Sequence, residues 1–209
     1  MRTSLAENHI ISSCVIGQGI VLKNGEPLFQ DKNVNLSGFL LSIYQHFQLN
    51  YSKFYKMDNL SKLGWLASEV LLKDNYQKDQ YPPEEVGLIL ANRNSSLDND
   101  VKYFESAKEI ASPSLFVYTL PNIVIGEICI RNNFKGEHAF YIQDQFDAGF
   151  IAGQVNYLLD SDILKACICG WVDVLDQDYK AVLFLVERRQ TDNSVPFSTK
   201  NINNIFETI

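Results

Sequence analysis

The chain has 209 residues, room for one ordinary domain or two small ones, with 46% apolar and 21% charged residues. That mixture excludes a disordered, collagen-like or coiled-coil chain, and a core of this size needs no staples. The 18 Lys and Arg against 25 Asp and Glu leave a net charge of −7, which argues against a nucleic-acid partner, because a phosphate backbone is bound by surplus cations.

Taken in chain order, Ile10 to Ile16 reads as a strand, followed by Gly17-Gln18-Gly19 and a second apolar trio, Ile20 to Leu22. Asn24-Gly25-Glu26-Pro27 is turn chemistry. Residues 30 to 52 are mixed, and Gly38 to Tyr44 fits helix and strand alike. Asp58 then caps an amphipathic helix whose apolar positions run from Leu60 to Leu72. Pro82-Pro83 breaks the chain before Val86 to Ala91, a continuous apolar run typical of a buried parallel strand. Asn92 to Ser96 is a polar loop, and Asp98 to Ile110 is a helix. After Ser112-Pro113, Pro121 to Ile130 has helical spacing, and Asn132 to Gly136 is a loop. Ala139 to Ile142 is a strand and Asp147 to Asp160 a helix. Ala166 to Val174 and Ala181 to Val186 are strands joined by a turn at Asp176-Gln-Asp.

Strands alternating with helices imply an α/β domain with a mixed, mostly parallel five-stranded sheet and helices on both faces. The domain is expected over residues 1–189, and residues 190–209, rich in Asn, Ser and Thr, read as a polar, weakly ordered extension.

Little in the composition points to a cofactor. Cys14, Cys129, Cys167 and Cys169 lie in apolar runs and read as small buried side chains. Cys167 and Cys169 share one strand face, but a metal there would need further ligands, and His9, His46 and His138 are scattered. No metal and no cofactor are expected. Gly17-x-Gly19 falls short of a dinucleotide fingerprint because position 22 is Leu, and no P-loop is present. The N-terminal stretch has no apolar core of the kind that precedes a signal cleavage site, and the longest apolar stretches are of about 5–6 residues where a membrane helix needs ~20. A cytoplasmic protein without membrane contact is expected.

Three stretches carry more information: Lys56-Met-Asp-Asn-Leu-Ser-Lys-Leu-Gly-Trp-Leu-Ala; Ser112-Pro113 with Thr119-Leu-Pro-Asn122, Gly126 and Phe134-Lys-Gly136; and Cys167-Ile-Cys-Gly170-Trp-Val-Asp. In this order and at these intervals, over about residues 55–187, the chain resembles the N-terminal half of the β-ketoacyl-acyl-carrier-protein synthases, which have a thiolase-like fold built by duplicating a βαβαβαββ unit. The resemblance implies a nucleophilic Cys after the strand that follows Gly136, at the start of a long helix whose dipole lowers its pKa. Counting on from Gly136, that position is Gln145, flanked by Phe146 and Asp147, and no Cys, Ser or Thr occurs between Gly136 and Ser161.

The family's two catalytic His come from its second half, and the length fits one half only. Claisen condensation needs a thiolate and stabilisation of the developing charge, so no catalytic residue is assigned. Thr119, Asn122 and Gly170 become candidates for lining a pocket or a dimer interface. Gln at the nucleophile position also occurs in chain-length factors and in decarboxylating loading domains. The resemblance therefore implies a non-catalytic partner in fatty-acid, polyketide or aryl-polyene-type biosynthesis. The alternatives are a Gln-type malonyl-carrier-protein decarboxylase completed by another chain, or a self-assembling half-domain. The partners implied are a second copy or a full-length ketoacyl synthase, and an acyl carrier protein. Helix Asp147–Asp160, central in the intact fold, is expected to expose apolar area, and the strand Ala139–Ile142 to pair across the interface.

Overall fold

The computed structural model describes residues 7–77 and 79–209; the first six residues, part of the stretch read for a leader, lie outside them. The chain opens with β1 (His9–Gly17), β2 (Ile20–Lys23) and β3 (Glu26–Gln30). Both hairpins are two-residue turns with positive φ at each central residue, Gln18-Gly19 and Asn24-Gly25. This is the turn whose twist matches that of the strands it joins. Helix α1 (Leu36–His46) follows, capped by the Asn35 side chain, which accepts from the Gly38 N–H. It settles the ambiguous Gly38–Tyr44 stretch as helix. In α2 (Asn59–Leu72), the Asp58 carboxylate accepts from the Ser61 N–H, as the sequence suggested.

The middle of the chain supplies β4 (Val86–Asn92), α3 (Leu97–Ala107), α4 (Pro113–Val117), α5 (Ile123–Asn132), β5 (His138–Ile142) and α6 (Ala148–Asp160). It closes with β6 (Ala166–Leu175), β7 (Asp178–Glu187), β8 (Val195–Pro196) and α7 (Thr199–Phe206).

The eight strands of the described residues form one sheet in the order β3-β2-β1-β7-β6-β4-β5, with β8 added to β1. The sheet has eight strands where five were expected, because the β2–β3 hairpin and β8 extend the βαβαβαββ core. It is also mostly antiparallel: β4 pairs parallel with β5 and β6, and the other five pairings are antiparallel. The β1–β7 pairing joins distant parts of the chain and leaves no local trace.

Helices cover both faces. On one, α1, α2 and α5 pack over Cys14, Ile16, Leu88, Ile168 and Leu183. On the other, α6 lies over Ile89, Cys167, Cys169 and Phe184. The residues expected to trail off as an extension join this second layer. Phe197 and Ile202 are buried, α7 packs on α6 and β1, and Ser198 caps α7 by accepting from the Asn201 N–H. The helix expected to expose its apolar side is thus covered in part by the chain's own last helix. No helix among the described residues is long and apolar enough to cross a membrane.

Candidate functional site

The carboxyl ends of the parallel strands β4 and β5 lie side by side, with Asn92 opposite Ile142. Loops leaving such ends, at the start of a following helix, are where α/β proteins place chemistry. The loop after β4 is held from three sides. The Asn92 amide is fully buried and bonds both backbone polar groups of Ser95. The Asp173 carboxylate accepts from the Arg93 and Asn94 N–H groups at 3.2 and 2.9 Å and from the Asn94 side chain at 2.8 Å. The Ser96 hydroxyl donates to the Thr119 carbonyl at 2.6 Å. Asp173 closes the Gly170-Trp-Val-Asp motif, so its signal was in the sequence, but its role as a loop clamp was not.

Residues 143–147 link β5 to α6. The Gln143 N–H donates to the Asn92 carbonyl at 2.8 Å, joining this link to the β4 loop. Gln145 is exposed and stands before the helix, not at its first turn. The cap is Asp147, whose carboxylate accepts from the Phe150 N–H at 2.9 Å. The positive end of α6 therefore already holds an anionic group of the protein.

Phe146 is turned inward. Its ring stacks on Phe206 of α7, centroids 4.0 Å apart and planes at 6°, and meets Trp171 of β6 edge-on at 6.0 Å. Lys180 lies over the Phe206 ring at 4.3 Å and donates to the Ile209 backbone oxygen, which fastens the end of the described chain here. Trp171 and Phe206 are the site residues that reading the sequence missed. The signal for Phe206 was available: Ile202, Ile205, Phe206 and Ile209 have helical spacing behind Ser198.

The remaining candidates separate. Thr119 is half-buried, bonding its hydroxyl to the Phe116 carbonyl and its carbonyl to Ser96. It lies among Phe116, Val117 and Leu120, all about half exposed. Asn122 is exposed at the start of α5 and makes no side-chain capping bond. Gly170 is buried mid-strand in β6, where φ is +142° and a Cβ would come within 2.0 Å of the Val182 carbonyl oxygen. Close sheet packing accounts for this glycine, and it lines no open surface.

No cysteine offers a poised thiolate. Cys14, Cys167 and Cys169 are fully buried, and desolvation pushes all three thiols up, Cys167 to about 12. Cys129 is partly buried and pushed up to about 11. Among the described residues, no group of His, Cys, Asp and Glu is arranged to hold a metal.

Comparison with known proteins gives the fold a context. No family model matches the sequence, and no curated protein does. Solved structures do match. The ishigamide ketosynthase/chain length factor aligns with a TM-score of 0.64 at 14% identity, over 91% of this chain and 64% of that one. A ketosynthase (ApeO) in complex with its chain length factor (ApeC) from Xenorhabdus doucetiae gives 0.59 at 12% identity, over 96% of this chain and 90% of the matched chain. A type II polyketide acyl-carrier protein in complex with its ketosynthase (AntDE:AntF) gives 0.60 at 11%, over 88% of this chain and 63% of that one. The protein has the thiolase-like ketosynthase fold. It spans less than two thirds of two of these chains and nine tenths of the third.

Proposed function

We propose that this chain is a catalytically impaired, chain-length-factor-like protein that works as the partner of a ketosynthase in fatty-acid, polyketide or aryl-polyene-type biosynthesis. The observation that carries this reading is the β5–α6 link. In a fold shared with ketosynthase and chain-length-factor structures, it holds no Cys, Ser or Thr. We take Gln145 as the counterpart of the nucleophile. An exposed amide cannot form the thioester that condensation requires. The Phe146–Phe206–Trp171 cluster fills the space beside it with rings, where an acyl chain would need room.

The sheet's two edges support a partner. Edge strand β3 carries Glu26 and Pro27, which discourage further pairing. Edge strand β5, His138–Ile142, has no proline, no Lys and no bulge, and Ile142 is half exposed. In the resemblance, dimers pair through this strand, so β5 is proposed as the joining edge, whether to a ketosynthase or to a second copy.

Co-expression with a full-length ketosynthase and its carrier protein tests the reading. The two chains are expected to co-elute, and Ile142→Lys is expected to abolish co-elution while leaving the melting temperature within a few degrees. Malonyl-carrier-protein turnover is expected from the ketosynthase-containing complex and not from this chain alone. A chain that stays monomeric with the ketosynthase present, or that decarboxylates or condenses by itself, overturns the proposal.

A further inference from the structure

The helical layer on the far face of the sheet contains a cavity of about 490 Å3 that the partner reading does not use. This lies within the roughly 300–1,000 Å3 typical of small-molecule sites. Three helix ends converge on it. Phe47 is the C-cap of α1, Lys73 the C-cap of α2, and Arg131 belongs to the last turn of α5. The floor is apolar, formed by Phe47, Leu49, Val70 and Tyr76.

The polar groups at the rim are arranged asymmetrically. Glu69 takes two N–H groups of Arg131, from Nε and Nη2, both at 3.1 Å. The guanidinium is held flat by the rings of Tyr51 and Trp65, 5.4 and 5.8 Å from their centroids. Arg131 Nη1 has no partner among the described residues. Lys73 is exposed, its ammonium lies 5.7 Å over the Phe47 ring, and it pairs with no carboxylate among the described residues. After the Glu69–Arg131 pair is formed, one full positive charge and one set of guanidinium N–H donors remain at the mouth. They stand over an apolar floor, in a protein whose net charge is −7. Both cations sit at helix C-termini, where the dipole favours positive charge.

From this arrangement we propose that the cavity binds a medium-chain aliphatic carboxylate. The carboxylate is received by Lys73 and Arg131 Nη1, and the chain lies on Phe47, Leu49, Val70 and Tyr76. An ionic hydrogen bond fixes the head, and burial of methylene groups supplies the affinity. The proposal is independent of the ketosynthase-partner reading, and either can fail without the other.

Calorimetric titration of the intact protein with decanoate and with decanol tests it. Decanoate is expected to bind, and decanol, with the same tail and no charge, about tenfold more weakly. Lys73→Gln is expected to cost about tenfold for decanoate and nothing for decanol. Leu49→Asp, which places a negative charge on the floor, is expected to abolish decanoate binding. Lys73 is exposed, so its variant keeps the fold and decides the matter should Leu49→Asp unfold. Overturning results are no decanoate binding by the wild type, equal affinities for the two probes, or an unchanged decanoate affinity in Lys73→Gln.

Discussion

The cysteines show how one residue type can be settled by its surroundings. Reading them as small apolar side chains required only their apolar neighbours, and three of the four are fully buried. Their ordinary pKa of 9.0 is raised by desolvation, to about 11 for Cys129 and about 12 for Cys167. Iodoacetamide at pH 8 is therefore expected to modify Cys129 first and slowly, and the other three only on unfolding; mass mapping checks this. The sign for stability follows from linkage. A thiol kept neutral by the fold contributes its full share below pH 9, and that share is lost as pH rises from 9 toward 12. The urea midpoint is expected to fall across that window, and to fall less steeply in Cys167→Ala. An equal fall in both proteins would show that Cys167 is not the titrating group. What a single residue does through distant partners was not legible. Asp173 holds two N–H groups of a loop some 80 positions away, and only the fold brings them together.

At the scale of elements, what was legible depended on how local the determinants are. Asp58 and the spacing after it announce α2, and the unbroken Val86–Ala91 run announces a strand buried on both faces. The β2–β3 hairpin was half legible. Asn24-Gly25 marks the turn, but β3 is an exposed edge strand with no apolar alternation to reveal it. Helix α7 went unread because its Asn-rich surface outweighs its apolar stripe in composition, although that stripe is what docks. Its Phe206 is stacked on Phe146 and half-buried. Phe206→Ala removes that stack and the ring beneath Lys180, and is expected to cost about 2–3 kcal/mol, short of a fully buried Phe because part of the ring already meets solvent. Chemical denaturation gives the value, and increased binding of a hydrophobic dye would report the uncovered face of α6. A loss under about 0.5 kcal/mol would mean that α7 rests on the sheet without stabilising it.

At the scale of the whole molecule, charge bears on where a carrier protein would dock in the proposed complex. Arg188, Arg189 and Lys135 each face a carboxylate. Arg189 binds the buried carboxylate of Glu187, Arg188 faces Asp160 and Asp162 at 3.9 Å, and Lys135 faces Glu84 at 3.9 Å. With a net charge of −7 and a carboxylate beside each of these three cations, the chain presents no strongly basic surface there for an acidic carrier. Like charges repel over about a Debye length, ~10 Å at 0.1 M salt. In the proposed complex, the positive docking surface is then expected on the ketosynthase. Titration with the carrier protein at 50 mM salt is expected to give no measurable binding to this chain alone and clear binding to its complex. Raising the salt to 300 mM should weaken the complex's binding, because attraction to the ketosynthase is screened, and leave the isolated chain unresponsive. Tight, salt-sensitive binding to the isolated chain would place a carrier site on this protein, and would require cations other than Lys135, Arg188 and Arg189 to form it.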